Sequence, residues 1–154
     1  MRIYTSYFYQ VRFFPPDLIP LSTAVWDPKW FHDNKSQSYQ FKDRRGVLNG
    51  LRAEIFYPRV HGCSGKPCEF VPTNCQFLLD YTKQLDKLNF QEVMERFKTL
   101  HDKICAAEGL RDCDFALLLH EAPTNPCSER GPIQKWFAAN GMPIEEWYPL
   151  FQSL

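Results

Sequence analysis

Phe115-Ala-Leu-Leu-Leu119, running into His120-Glu121-Ala122-Pro123 and then Pro126-Cys127-Ser128-Glu129-Arg130-Gly131-Pro132, is the stretch that decides the fold. Five consecutive apolar residues closed by turn-formers read as a central strand. Pro123 and Pro126 mark a loop, and Pro132 suits the first turn of a helix, where its missing N–H costs nothing. That helix carries Trp136 and Phe137 and stops at Gly141. Strand, loop and helix in this order form the unit of an α/β layer.

Upstream lies the strongest periodicity in the chain. Phe90, Val93, Met94, Phe97, Leu100 and Ile104 recur at the spacing of one helix face. Asn89 and Glu92 match a capping box, and Gly109 is the expected stop. Before it, Thr73 with Gln76 suggests another capping box, leading Leu78, Leu79, Thr82 and Leu85 along a shorter helix. Ile3–Tyr9 and Leu18–Val25 read as strands, separated by Pro15 and Pro16, and Pro20 marks a strand start or an edge. Both runs are continuously apolar, as in a sheet covered on both faces. Ile144–Trp147 reads as a short last strand or the start of a tail. Between Trp26 and Pro72, prolines and glycines interrupt every pattern, apart from a short helix expected around Val47–Glu54. The expectation is one α/β domain over residues 1–154. It has a small, mostly parallel sheet flanked by helices, with an irregular insertion or lid over 36–72.

Composition limits function. The 44% hydrophobic content fits a folded core, and 16% aromatics supply stacking platforms as well as buried area. Net charge is zero but polarised: residues 2–66 hold ten Lys/Arg against five Asp/Glu, and residues 67–154 hold eight against thirteen. This permits an anionic ligand and falls short of a duplex-binding surface. No run of about 18 apolar residues exists, so no membrane span is expected. The first residues lack a signal-peptide core, which predicts a cytoplasmic protein with reduced thiols. Walker A, Gly-x-Gly-x-x-Gly, Gly-x-Ser-x-Gly and His-Glu-x-x-His patterns are all missing, which argues against the enzyme classes built on them.

Open α/β sheets bind ligands beyond the carboxyl ends of their strands. The candidate ligand-binding residues are therefore Ser6 and Tyr7 at the end of the first strand, and Glu121, Cys127 and Arg130 around the second loop. Arg130 offers a planar fork for phosphate or carboxylate, or pairs with Glu121 to fix the loop. Cys127 precedes a helix start, where thiolates are favoured, or is simply a small buried apolar residue. Arg44 and Arg45, with Lys42 and Arg52, form a basic cluster able to close over an anion. Trp26, Trp30 and Phe31 suit base stacking if exposed, although large aromatics more often pack inside. The leading expectation is a binder of an anionic, nucleotide-derived small molecule, with no cofactor, no metal and homo-oligomerisation left open. The rival is an enzyme with Cys127 as nucleophile and His120 or Glu121 as base. A third expectation, a protein-interaction module, rests on the aromatics. His61, Cys63, Cys68 and Cys75 could ligate zinc, but their spacing is irregular for a structural site.

The opening Ile3-Tyr4-Thr5-Ser6-Tyr7-Phe8, the Pro28-Lys29-Trp30 segment, and Leu117-Leu118-Leu119-His120-Glu121 with Cys127-Ser128-Glu129-Arg130 and Trp136-Phe137 together resemble the "domain of unknown function 488" family. In that family a strand ending in Cys-Tyr-Glu is followed by a Cys-His-Arg triplet that opens a helix. Here Leu119 and His120 stand in place of the family's cysteine and tyrosine, and one extra residue and no histidine separate Cys127 from Arg130. The resemblance implies the α/β fold and the loop site, with the pocket kept and the reaction lost. It also allows a viral source, in which the protein would sequester a host signalling nucleotide.

Overall fold

The computed structural model describes residues 1–32, 48–54 and 71–150. Its centre is a four-stranded, all-parallel sheet of β1 (Ile3–Tyr7), β2 (Leu18–Ser22), β3 (Asp114–Leu119) and β4 (Glu145–Glu146), in the order β2-β3-β1-β4. Four helices accompany it among the described residues: α1 (Lys29–His32), α2 (Gln76–Asp86), α3 (Phe90–Glu108) and α4 (Arg130–Ala139). The α/β class and the central place of Phe115–Leu119 are as the sequence predicts.

Alternation along the strands separates two cores. Phe115, Leu117 and Leu119, with Ile3, Ile19 and Leu21, face a large cluster completed by α2, α3 and α4. Ala116 and Leu118, with Leu18, face a smaller one built from Phe8, Val11, Ala24 and Phe31. Every β3 residue from Phe115 to Leu119 is buried, which is why the strand reads as an unbroken apolar run.

The α3 boundaries follow their signals. Asn89 accepts from the Glu92 N–H at 3.1 Å, and Gly109 ends the helix at φ 67°, a left-handed conformation glycine adopts without penalty. Val93, Phe97, Leu100 and Ile104 are its buried face. Elsewhere the expectations need correction. The first strand stops at Tyr7, because Phe8–Phe13 coil into a 3-10 helix that tucks Phe8 and Val11 into the smaller core. The second ends at Ser22. Thr73 lies inside a separate 3-10 turn, Pro72–Asn74, and α2 begins at Gln76 with no side-chain cap from Cys75. Its inner face is Phe77, Leu78, Tyr81 and Leu85, whereas Leu79 is exposed.

Within the expected insertion, residues 48–54 belong to the core. They form a turn rather than a helix, and Leu48, Leu51 and Ala53 are buried. Gln84 donates to the Gly50 and Arg52 carbonyls, both at 2.6 Å, and the buried Tyr81 hydroxyl donates to the Leu51 carbonyl. Gly50 sits at φ 84°, a left-handed conformation that strains any side chain, and a Cβ there would press on Leu88 Cδ2. Lys42, Arg44, Arg45, His61, Cys63 and Cys68 lie outside the described residues. No described helix is long and apolar enough to cross a membrane.

Candidate functional site

The connections leave β1 and β3 toward opposite edges of the sheet, and these two strands are neighbours. Their carboxyl ends form the topological switch point, where parallel sheets open a crevice. Tyr7 is the last residue of β1, and His120 and Glu121 follow β3.

On the side of the sheet covered by α2, α3 and α4, Arg130 organises these strand ends. Its Nε donates to Glu146 Oε1 at 2.6 Å, and one terminal nitrogen donates to the Glu121 carbonyl at 2.9 Å and to Glu146 Oε2 at 3.4 Å. The other terminal nitrogen donates to Ser128 Oγ at 3.3 Å. Ser128 Oγ also accepts from the Arg130 N–H at 3.2 Å, occupying one of the free donors at the start of α4. Glu146 Oε1 accepts from Thr5 Oγ1 at 2.7 Å, and Gln134 of α4 donates to that hydroxyl at 2.8 Å. The guanidinium carbon lies 5.9 Å from the Tyr7 ring centre, and Gln10 donates to the Tyr7 hydroxyl. The pair is nearly enclosed, with Arg130 and Glu146 side chains 8% and 9% exposed. Burial holds the Glu146 carboxyl above the ordinary glutamate value, outweighing the opposite pull of Arg130 and Thr5. Arg130 thus finds its anion in Glu146 of the last strand, and takes the backbone carbonyl of Glu121.

On the other side these strand ends carry aromatic rings. The His120 ring lies 4.1 Å from Trp26 and 4.8 Å from Phe8, centre to centre. His120 Nε2 lies 2.8 Å from the Trp26 carbonyl, which can only accept, so Nε2 carries the proton and Nδ1 is the free base in the neutral ring. Trp26 is 56% exposed, Trp30 46% and Tyr9 52%. Phe31 is fully buried, so only the two tryptophans of that trio present a surface. Arg12 lies over the Tyr9 ring at 4.2 Å. Arg52 pairs with the buried Asp27 at 3.1 Å and donates to the Val25 carbonyl, fixing the segment after β2 that carries Trp26.

The structure brings Tyr7, Glu121 and Arg130 together and places His120 with the exposed aromatics. Ser6 is fully buried, and its hydroxyl has no partner among the described residues. Cys127 is 1% exposed and packs within the large apolar cluster. Sequence reading missed Glu146, because no local pattern links it to an arginine sixteen residues earlier. A groove of about 580 Å³ between α2 and α4, lined by Leu79, Leu88, Pro132 and Trp136, is a separate feature on the helical face.

No family model matches the chain, and no curated protein or solved structure is detectably similar to it.

Proposed function

We propose that the protein binds a flat, anionic, nucleotide-derived small molecule at the switch-point crevice. One observation carries this reading: Trp26 packs against His120 while 56% exposed, and Trp30, 46% exposed, joins the same cluster through Phe8, at the strand ends where parallel sheets take ligands. Large aromatic rings left in water at such a place suit stacking on a base. Arg12, over the Tyr9 ring, and Lys29, which precedes Trp30 in α1, are cations carried by the same segments. Arg130, committed to Glu146, holds the loop that shapes the crevice. The resemblance to the "domain of unknown function 488" family agrees with a pocket kept without its reaction. In a virus such a pocket would serve to sequester a host nucleotide.

The test is a nucleotide panel incubated with the full chain, filtered, released by heat and chromatographed. A nucleotide depleted and recovered intact is the expected result. Trp26→Ala should then weaken binding by about 1–3 kcal/mol, the worth of one base–aromatic stack. Equal affinity in that variant would remove Trp26 from the site. Recovery of a chemically altered nucleotide would favour the enzyme reading, which needs an accessible Cys127.

A further inference from the structure

At the opposite end of β3 lies a group that the crevice does not use. His101 and Cys105 sit four residues apart on α3, one turn from each other on the same face. The left-handed Gly109 then turns the chain back, with the Leu110 N–H donating to the Cys105 carbonyl at 3.0 Å. Cys113 arrives beside them immediately before β3. Its position is held by the strand, since Asp114 N–H donates to the Asp17 carbonyl at 2.8 Å and Phe115 N–H to the Arg2 carbonyl at 2.9 Å. Among the described residues this is the one trio of histidine, cysteine or acidic donors close enough to share an ion: the three ligand atoms lie within 4.8 Å of one another.

The geometry points to a binding site for Zn²⁺, with His101 Nε2, Cys105 Sγ and Cys113 Sγ as protein ligands and the fourth position open beside Asp112. Zn–S bonds of about 2.3 Å and Zn–N bonds of about 2.0–2.1 Å give a tetrahedron with S···S edges of about 3.8 Å and S···N edges of about 3.6 Å. Cys105 Sγ lies 3.8 Å from Cys113 Sγ and 3.7 Å from His101 Nε2. The outer shell is also in place. His101 Nδ1 lies 3.0 Å from Asp102 Oδ1, the carboxylate–histidine contact that orients a metal-binding imidazole with Nε2 toward the two sulfurs. Asp112 Oδ1, 2.6 Å from Nε2, is a hydrogen-bond partner that an entering ion would displace or recruit. Two thiolates and an imidazole favour a borderline-soft cation over magnesium or calcium. The imidazole edge and Cys105 are partly exposed, so an ion has a way in.

The site is tested on the reduced, metal-stripped full chain by titration with Co²⁺, followed by competition with Zn²⁺. A thiolate-to-cobalt charge-transfer band that Zn²⁺ abolishes is expected. Cys105→Ser and Cys113→Ser should each remove it, whereas C63S/C68S should keep it. Asp102→Asn, at an exposed position that does not threaten folding, should lower the affinity by about 10–100-fold. Three results would overturn the assignment: no band in the wild type, a band unchanged in folded Cys105→Ser and Cys113→Ser, or full loss in C63S/C68S.

Discussion

At the carboxyl end of β3, a guanidinium and a carboxylate are locked together under α4. At its amino end, an imidazole and two thiols face one another at van der Waals range near the surface. The first group has every partner it needs and is closed to solvent. The second carries donor atoms whose spacing suits an ion better than it suits one another. A single strand thus separates a finished polar centre from an unfinished one. The difference follows from where the partners come from. Arg130 and Glu146 are brought together by α4 and β4 packing across the sheet, so burial comes with the pairing. His101, Cys105 and Cys113 are gathered by one helix end and its turn, which leaves His101 and Cys105 part-exposed over the buried Cys113.

Breaking the carboxyl-end pair should have the largest effect. Arg130→Ala leaves Glu146 buried without its cation, and losses of about 3–5 kcal/mol are typical of such deletions. R130M/E146L should recover much of that stability in denaturant unfolding, because an apolar pair avoids the desolvation cost. A loss within experimental error in the single variant would mean that the pair does not hold the loop. At the amino end, Asp112→Asn in metal-free protein should leave the unfolding midpoint close to the wild-type value, since exposed ion pairs contribute little.

Next in size is a pH effect confined to the carboxyl end. Glu146 is raised above its ordinary value by burial, so the folded state holds that proton more tightly than the unfolded chain. Its contribution to stability is fully present below the ordinary glutamate pKa and is lost as pH rises through the raised one. The unfolding midpoint of the wild type should therefore improve relative to Glu146→Gln as the pH falls through that window. A difference that shrinks on acidification would show that the pull of Arg130 outweighs burial.

The smallest expected effect distinguishes the thiols. Under mild alkylation of the native protein, Cys105 should react before Cys127, which is 1% exposed. Peptide mass mapping reads the order, and Zn²⁺ should protect Cys105 without altering Cys127.

Local signals explain what was legible. The Phe115–Leu119 run, the Asn89 cap and the Gly109 stop each encode their structure within a few residues, and the structure follows them. Phe8 and Tyr9 mislead because aromatic residues suit a strand and a packed 3-10 turn equally well. The loop from Glu121 to Arg130 could be placed from its prolines, but its anchor, Glu146, depends on β4 pairing with β1, which no short window records. His101 and Cys105 lay in plain view at helical spacing. The apolar stripe of α3 dominates that window, and Cys113 becomes their neighbour only once the chain has turned at Gly109.

The central place of β1 has a consequence during synthesis. Residues 3–7 pair on one side with 115–119 and on the other with 145–146. At roughly 5–20 residues per second, this strand waits on the order of ten seconds after translation before either neighbour exists. For that interval Ile3–Tyr7 has no strand to pair with, and the sheet cannot begin to assemble from its middle. The chain must complete α3 first, then close the sheet late and almost at once.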